Sequence, residues 1–373
     1  MITKKIQMVD LYTQYKLIKK EINGAIESVI KDSAFIGGFY VEKFEKEMAE
    51  YCDTKYALGL NSGTDALYLA LWALGIKEGD EVITTPFTFF ATAEVITRLG
   101  AKPVFVDIDP NTFNIDENLI EEKITNKTKA IIPVHLFGLP ANMDKILEIA
   151  KKYKLFVIED ACQAIGAEYD GKKVGGLGDV GCFSFFPSKN LNGYGDGGMV
   201  VTNNEKIAEK IKMLRNHGSK IKYFNDEIGV SSRLDGIQAA ILSVKLKYLN
   251  KWNKSRQNIA DIYNKLLGDI NSIEVPKYNL DKKTKHVYHQ YTLKIKNGKR
   301  DELKKYLEEN NVSSMIYYPL PLHFLKAFEY LKIKKGSLPV VEKMCGEVLS
   351  LPIYAELDDK KIIDIVKLIK KYV

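Results

Sequence analysis

The sequence predicts an α/β protein with a largely parallel β-sheet and helices on both of its faces. Between about residue 55 and residue 203, short apolar runs alternate with segments of helical periodicity, which is typical of strands joined by crossover helices. The chain has 373 residues, more than one ordinary hydrophobic core accommodates. We therefore expect two domains, a large one over residues 1–254 and a smaller C-terminal one over residues 255–373.

Seven apolar runs are predicted as the strands of the sheet: residues 56–60, 81–85, 103–106, 130–134, 155–160, 181–185 and 199–202. The periodic segments 65–74 and 143–153 suit helices between them, and residues 237–267 predict one long helical connection. After it, residues 288–295, residues 313–317 and two helical patterns predict a smaller α+β unit. Ligands bind beyond the carboxyl ends of strands in such sheets, so residues that follow strands are the first functional candidates.

Lys189 is the strongest of these candidates. It lies between the apolar run 181–185 and a glycine-rich segment, residues 193–198, so its amine can be partly removed from water. Desolvation lowers the pKa of a lysine and frees its amine for Schiff-base chemistry. Asp160 ends the predicted strand 155–160. A lysine that holds the aldehyde and an aspartate that keeps the pyridine nitrogen protonated are what pyridoxal 5'-phosphate (PLP) requires, so the sequence predicts a PLP enzyme.

A phosphate site is predicted where residues 61–67 pass from a strand into a helix. Backbone N–H groups at a helix N-terminus, together with hydroxyl groups, bind anions. Ser62 or Thr64 would also serve as an ordinary helix N-cap, and taken alone that interpretation is favoured. Ser184, five residues before Lys189, is a second hydroxyl that could complete a phosphate cup.

Two further side chains have two interpretations each, and two adjacent acids compete for one role. Phe89 could stack on the pyridine ring or pack in an aromatic core. Gln163 could hydrogen-bond the phenolic oxygen of the cofactor or be a surface amide. Glu159 precedes Asp160, and only strand alternation and loop position favour Asp160 for the cofactor contact.

Charge and composition argue against several other classes of protein. The formal net charge is +7, but lysines are spread along the chain and arginines are few, so we expect no nucleic-acid partner. The basic C-terminal segment 360–371 has helical periodicity and predicts a surface helix packed on a core, and we expect no membrane association. Scattered cysteines predict reduced thiols in a cytoplasmic protein: Cys52, Cys162, Cys182 and Cys345. His286 and His289 lack a nearby cysteine or carboxylate partner in the sequence, so no metal site is predicted.

Five motifs in a fixed order resemble the nucleotide-sugar aminotransferases of the DegT/DnrJ/EryC1/StrS family. They are Asn61-Ser62-Gly63-Thr64-Asp65-Ala66-Leu67, Pro86-Phe87-Thr88-Phe89-Phe90-Ala91-Thr92, Glu159-Asp160-Ala161-Cys162-Gln163-Ala164, Ser184-Phe185-Phe186-Pro187-Ser188-Lys189 and Gly195-Asp196-Gly197-Gly198. The resemblance runs from residues 9–11 to residues 350–352. It implies the aspartate-aminotransferase fold, called fold type I, and a homodimer with active sites shared at the subunit interface.

The resemblance also implies a role for each candidate. Lys189 would carry the cofactor, Asp160 would pair with the pyridinium nitrogen, Phe89 would stack on the ring, Gln163 would lie near the phenolic oxygen, and Gly63, Thr64 and Ser184 would hold the phosphate. At position 231 the family usually has an asparagine that reaches the partner subunit's cofactor phosphate. Ser231 is shorter, so this contact is either lost or made through water. Arg233, Tyr318 and His323 are the implied substrate contacts.

The resemblance further implies a reaction. Family members with a histidine in place of the Schiff-base lysine are dehydratases, so Lys189 implies amino transfer, with L-glutamate as the donor. Residues 87–94, 231–235 and 318–322 are most similar to the branch that acts on nucleotide-linked 3-keto sugars. We expect dTDP-3-keto-6-deoxyhexose to be the acceptor. The alternatives are a 4-keto nucleotide sugar, a UDP-linked 3-keto-uronate or, in a different class, a non-catalytic regulator with the same fold.

Overall fold

The computed structural model describes residue 2, residues 4–276 and residues 283–372. Over these residues the α-helices are α1 (Leu11–Lys31), α2 (Phe39–Cys52), α3 (Gly63–Ala73), α4 (Ala91–Arg98), α5 (Met143–Tyr153), α6 (Glu205–Leu214), α7 (Gly236–Leu246), α8 (Leu249–Leu267), α9 (Arg300–Glu309), α10 (Pro339–Glu347) and α11 (Asp359–Tyr372). The strands are β1 (Tyr56–Leu60), β2 (Glu81–Thr84), β3 (Lys102–Phe105), β4 (Thr128–Ile132), β5 (Phe156–Asp160), β6 (Glu168–Tyr169), β7 (Lys172–Lys173), β8 (Val180–Ser184), β9 (Gly198–Thr202), β10 (Ser219–Ile221), β11 (Phe224–Asn225), β12 (Ile273–Glu274), β13 (Thr284–Lys285), β14 (Tyr291–Ile295) and β15 (Val348–Leu351).

The central sheet has seven strands in the order β1-β9-β8-β5-β4-β2-β3. Strands β8, β5, β4, β2 and β3 are parallel to one another, whereas β9 is antiparallel to both of its neighbours. Each of the seven predicted runs contributes one of these strands, with ends that differ by two residues at most. The predicted α/β class with a mostly parallel sheet is therefore confirmed.

Successive residues of the central strands face opposite sides of this sheet, because side chains alternate along a strand. Ile158 and Val200 pack in the apolar cluster that contains residues of α3, α4 and α6. Their neighbours Val157 and Val201 pack in two other clusters, which contain residues of α5 and α2 respectively. Both faces are thus covered by helices, and Asp160 shares the face of Ile158, whereas Glu159 shares that of Val157.

The C-terminal part of the chain forms a second apolar core around the sheet β12-β14-β15. Helices α8, α9 and α11 contribute buried residues to this core, and α11 confirms the predicted surface helix with a buried apolar face. Ile6 packs in the same core, so a residue near the N-terminus contributes to the core of the C-terminal part of the chain. The predicted domain boundary near residue 255 lies inside α8, and the division into two domains stays a prediction.

Two predicted elements differ from the structure. The single helical connection over residues 237–267 is broken into α7 and α8, because α7 packs in the apolar cluster that contains residues of α2, β8 and β9, whereas α8 contributes to the C-terminal core. Of residues 313–317, Met315 pairs with Ser350 in an isolated bridge instead of extending as a strand. Within the described residues, no helix has the length and apolar character needed to cross a membrane.

Candidate active site

A cavity of about 440 Å³ opens beyond the carboxyl ends of the parallel strands. The segments after β1, β2, β5 and β8 contribute to its walls, as expected for residues at one edge of a parallel sheet. The structure brings most of the predicted site residues together there: Gly63, Thr64, Phe89, Asp160, Gln163, Ser184, Lys189 and Tyr318.

Lys189 lies on the loop that joins β8 to β9. The base of this loop is closed by hydrogen bonds from Phe185 N to Gly197 O and from Gly193 N to Phe185 O, both 2.8 Å long. Burial lowers the pKa of Lys189 below its usual value, against the opposing effects of Cys162 and Asp160. The amine therefore loses its proton more readily than an exposed lysine, as a nucleophile or a proton acceptor requires.

A second lysine, Lys245 of α7, contacts two residues of this loop. Its buried amine hydrogen-bonds Asn192 Oδ1 and lies 3.9 Å from the ring centroid of Tyr194. Asn192 in turn donates from Nδ2 to Pro187 O at 2.8 Å. Burial lowers the pKa of Lys245 to about 7, although Glu356 acts in the opposite direction.

Asp160 is the carboxylate that faces the cavity, and it is 5% exposed. Thr92 donates from Oγ1 to Asp160 Oδ2 at 2.8 Å, and the backbone N–H of Cys162 donates to Oδ1 at 3.2 Å. Thr92 is itself held by a 2.9 Å hydrogen bond between its hydroxyl and that of Thr88. These contacts orient a carboxylate that lies close enough to Lys189 to influence the pKa of its amine.

Glu159 points to the other side of the sheet and has a structural role. Its carboxylate is fully buried and accepts hydrogen bonds from the backbone N–H groups of Gly175 (2.7 Å), Leu177 (2.8 Å) and Gly178 (2.7 Å). His135 Nε2 lies 3.0 Å from the Oε2 atom. The choice of Asp160 over Glu159 for the cavity is therefore supported by the alternation of the strand.

The N-terminus of α3 forms one wall of the cavity. Ser62 is its N-cap, and its hydroxyl accepts a 3.1 Å hydrogen bond from Asp65 N. The first N–H groups of a helix have no partner within the helix, so those of Gly63 and Thr64 are available to an anion. A Cβ atom at Gly63 would lie 2.6 Å from Ser184 Cβ, so only glycine lets the helix start this close to β8.

Gln163 and Tyr318 are linked across the cavity. Gln163 Oε1 accepts from Phe137 N at 2.8 Å, and Nε2 donates to the Tyr318 hydroxyl oxygen at 3.1 Å. Gln163 is 9% exposed, so the surface-amide interpretation is wrong. Burial raises the pKa of Tyr318 and keeps its hydroxyl protonated. Phe89 is 59% exposed and lines the cavity, so it does not pack in the core and its ring is open to a ligand.

Three predicted residues do not line this cavity within one chain. Arg233 donates to Asn216 Oδ1 (3.0 Å) and Ser231 Oγ (2.8 Å), and it lines a separate cavity of about 550 Å³. His323 is buried with its Nε2 atom 3.5 Å from Glu342 Oε1, and burial lowers the pKa of its ring. The contacts predicted for Ser231, Arg233 and His323 stay predictions.

His289 lines the cavity and was not predicted as a site residue. In the sequence His289 stands out only by its spacing from His286, for which no metal site is predicted, and nothing near it in the chain indicates its environment. Its Nδ1 atom lies 3.3 Å from Asn190 Oδ1, a contact between residues 99 positions apart. The described part of the chain contains no group of three or more histidine, cysteine, aspartate or glutamate residues that could hold a metal ion.

The residues of the cavity fit pyridoxal phosphate. An amine with a lowered pKa can take the aldehyde, a fixed carboxylate can face the ring nitrogen, and a helix N-terminus beside a serine hydroxyl can take the phosphate. The close approach of Gly63 to Ser184 makes a cradle that a side chain at position 63 would fill.

Comparison with known proteins agrees with this chemistry. The model of the DegT/DnrJ/EryC1/StrS aminotransferase family matches residues 16–370. A pleiotropic regulatory protein of Geobacillus stearothermophilus is 50% identical, with 95% of each chain covered. A UDP-N-acetyl-3-dehydro-alpha-D-glucosamine 3-aminotransferase of Acidithiobacillus ferrooxidans is 44% identical over 98% of this chain and 97% of its own.

A dTDP-3-amino-3,6-dideoxy-alpha-D-galactopyranose transaminase of Aneurinibacillus thermoaerophilus is 43% identical over 98% of this chain and 99% of its own. Among solved structures, Streptomyces venezuelae DesV in complex with a ketimine intermediate has a TM-score of 0.96 and 38% identity, with 99% of each chain covered. The chain therefore belongs to the DegT/DnrJ/EryC1/StrS aminotransferase family and is a pyridoxal-phosphate-dependent sugar aminotransferase.

Proposed function

We propose that the enzyme transfers the amino group of L-glutamate to C-3 of dTDP-3-keto-6-deoxyhexose, giving a 3-amino sugar. The observation that carries amino transfer is a lysine with a lowered pKa that shares one cavity with a fixed carboxylate. The Aneurinibacillus and Acidithiobacillus relatives, at 43% and 44% identity, both support position 3 by their names. The Acidithiobacillus relative favours a UDP-linked sugar as the second candidate.

Pyridoxal phosphate, when bound, supplies the electron sink that allows a proton to leave Cα of the amino donor. Lys189 Nζ then accepts that proton, because its lowered pKa leaves the amine free to do so. The same atom would pass this proton on to the cofactor, and in the second half of the cycle it would carry a proton from the cofactor to C-3 of the sugar. Asp160, fixed by Thr92 and by Cys162 N, keeps a proton at the ring nitrogen.

The other residues of the cavity bind and orient. Gly63, Thr64 and Ser184 would take the phosphate at the start of α3, where N–H groups and a hydroxyl converge. Phe89 would cover one face of the ring, and Gln163 would lie near the phenolic oxygen. All these groups lie in one cavity with Lys189 and Asp160, and this arrangement favours amino transfer over a non-catalytic regulator.

A homodimer with shared active sites is part of this proposal, together with a cytoplasmic location and the two domains predicted above. Ser231 is exposed and bound to Arg233, outside the cavity of its own chain, where it is free to approach a partner. Phe89 and Phe186 line the cavity and remain 59% and 52% exposed, as expected if a second subunit covers its mouth. Light scattering should therefore give twice the mass of the chain.

The covalent role of Lys189 is tested by reducing the PLP-loaded protein with borohydride and mapping the modified peptide by mass spectrometry. We expect the label on Lys189, and we expect Lys189→Ala to fold but to lose both the label and turnover. Lys172→Ala, which changes an exposed lysine of β7, is the matched control and should keep both. A Lys189→Ala protein that still aminates a sugar would contradict the assignment.

The acceptor is tested with glutamate and a panel of 3-keto and 4-keto sugars linked to dTDP or UDP. NMR of the product identifies the carbon that bears nitrogen. We expect amination at C-3, with the highest kcat/KM for the dTDP-linked 6-deoxyhexose. Amination at C-4 alone would refute the preferred acceptor, and a preference for UDP-linked 3-keto sugars would establish the second candidate.

A further inference from the structure

Lys189 lies at the end of a tight turn that a side chain outside the turn holds in place. Phe186, Pro187, Ser188 and Lys189 form this turn, which is closed by a 2.8 Å hydrogen bond from Lys189 N to Phe186 O. Proline suits the second position of such a turn because its φ angle is already set. The carbonyl of Pro187 accepts a 2.8 Å hydrogen bond from Asn192 Nδ2. Asn192 therefore ties the turn to a residue three positions beyond Lys189.

The amide of Asn192 is in turn fixed by Lys245. Lys245 is fully buried, and its amine donates to Asn192 Oδ1. The carbonyl oxygen of Pro187 only accepts, so Nδ2 of the amide faces the turn and Oδ1 faces Lys245. Hydrogen bonds in such a chain strengthen one another, because each donated bond polarises the group that makes the next. Lys245 therefore acts on Pro187 through a single intervening side chain.

The same face of α7 makes a second contact with the loop. Gln238 precedes Lys245 by about two helical turns, and its Oε1 atom accepts a 2.8 Å hydrogen bond from Tyr194 N. A Cβ atom at Gly193 would lie 2.7 Å from that Oε1 atom, so the loop backbone rests directly on the helix. Lys245 Nζ lies 3.9 Å from the ring centroid of Tyr194. The amine is thus enclosed between α7 and the loop that carries Lys189.

Opening of this loop would let water reach the Lys245 amine. In the closed loop, burial lowers the pKa of Lys245 to about 7, and Glu356, between β15 and α11, acts in the opposite direction. Arg256 of α8 acts on Glu356 and favours its charged form. Tyr194 stays neutral, because burial raises its pKa to about 12. The closed loop therefore binds a proton on Lys245 less tightly than an open loop would, so rising pH favours the closed form between about pH 7 and pH 10.

We propose that Lys245 is a positioning residue for Lys189: through Asn192 it holds the Pro187 carbonyl, and with it the turn that presents the Lys189 amine to the cavity. A lysine amine also donates a hydrogen bond in its neutral form, so the link persists when Lys245 loses its proton. The inference rests on the proposed role of Lys189 in holding the cofactor. It assigns a part in the reaction to a buried lysine that does not line the cavity.

Two variants separate this role from a structural one. Asn192→Asp keeps the acceptor for Lys245, now as a carboxylate, and loses the donor to the Pro187 carbonyl. Lys245→Met nearly keeps the length of the side chain and removes the donor to Asn192. If the contact only satisfied the buried amine, Asn192→Asp would behave as the wild type, because a carboxylate is the stronger acceptor. Lys247→Met, which changes an exposed lysine at the C-cap of α7, is the matched control and should behave as the wild type.

The first measurement compares covalent and non-covalent binding of the cofactor by the full-length protein. Capture of PLP by Lys189 is followed by borohydride quenching at timed intervals and peptide mass spectrometry, and the Kd of pyridoxamine phosphate is measured by calorimetric titration. We expect capture to be about tenfold slower in Asn192→Asp and Lys245→Met, as for the loss of one hydrogen bond, with a Kd within about twofold of the wild-type value. Capture at the wild-type rate in Asn192→Asp would refute the positioning role. A label on another lysine of the wild type would refute instead the proposed role of Lys189.

The second measurement is amide hydrogen exchange of the cofactor-free protein. Protection of residues 185–194, corrected for the intrinsic exchange rate, should rise about tenfold from pH 6 to pH 8 in the wild type, because the open form binds about one proton more over most of this range. The rise should be absent in Lys245→Met and present in Lys247→Met. Protection of the wild-type loop that does not change with pH would overturn the proposal, and this result decides even if neither Asn192→Asp nor Lys245→Met folds.

Discussion

Replacing Gly63 with alanine should weaken cofactor binding while leaving the fold intact. The added Cβ would lie 2.6 Å from Ser184 Cβ, 3.0 Å from Cys162 Sγ and 3.2 Å from Ser184 Cα. Carbon atoms in contact prefer about 3.5–4.0 Å, so the two groups must separate by roughly 1 Å. The end of a flexible side chain could move aside, but Ser184 Cβ is attached directly to the backbone.

The backbone at Ser184 cannot easily yield, because Ser184 ends β8 and pairs with Gly198 of β9. The start of α3 must then move away from Ser184, and these are the two groups proposed to share the phosphate. A displacement of about 1 Å takes a hydrogen bond out of range. Loss of one charge-assisted bond costs about 1.5–3 kcal/mol, which corresponds to about 10- to 100-fold weaker binding.

The assay is calorimetric titration of cofactor-free protein with pyridoxamine phosphate, which binds without a covalent bond to Lys189. Gly24→Ala is the matched control, because Gly24 lies inside α1 with no heavy atom within 4 Å of the added Cβ. The control should bind normally and be more stable by up to about 1 kcal/mol. If the Gly63→Ala protein folds and its Kd for pyridoxamine phosphate stays within about twofold of the wild-type value, the close approach of Gly63 to Ser184 is not needed for phosphate binding and the reasoning is refuted.

Two further predictions concern stability. Glu159→Gln places an amide where the carboxylate accepts four hydrogen bonds, so buried donors lose their partner. The free energy of unfolding, measured by urea titration of cofactor-free protein, should therefore fall by about 2–5 kcal/mol. Glu122→Gln, at an exposed position, should change it by less than about 0.5 kcal/mol, and equal losses would contradict the structural role. Lys245 has a pKa lowered to about 7 in the folded protein, so between that pH and about 10 the unfolded chain binds more protons and stability rises with pH. Lys245→Met removes the titrating amine, so the free energy of unfolding of the variant should lack this part of the rise with pH. Relative to the wild type, the variant should therefore be most stabilised near pH 6. Plots of the free energy of unfolding against pH that run parallel for the two proteins from pH 6 to 10 would contradict the lowered pKa of Lys245.

The sheet and most of the cavity could be predicted because their signals are local. Each central strand is a short apolar run, and Asp160, Ser184 and Lys189 lie in or just after such runs. The carboxyl ends of parallel strands meet at one edge, so positions far apart in the chain could be placed together. Alternation along β5 was enough to separate Asp160 from Glu159.

Other features depend on contacts that no local pattern indicates. The break between α7 and α8 follows from two helices packing in different cores. His289 reaches the cavity only because Asn190 and Asn253 bring three distant segments together. Lys245 resembles any other helical lysine in the sequence, and its burial beneath Asn192 and Tyr194 becomes visible only in three dimensions.

The closed base of the loop between β8 and β9 has a consequence for the energetics of cofactor capture. Hydrogen bonds from Phe185 N to Gly197 O and from Gly193 N to Phe185 O fix the loop within the protein alone. The conformational entropy of Lys189 and its neighbours is therefore lost when the chain folds, and not when the cofactor binds. More of the binding free energy then remains for affinity, because the loop needs no further ordering when the cofactor binds.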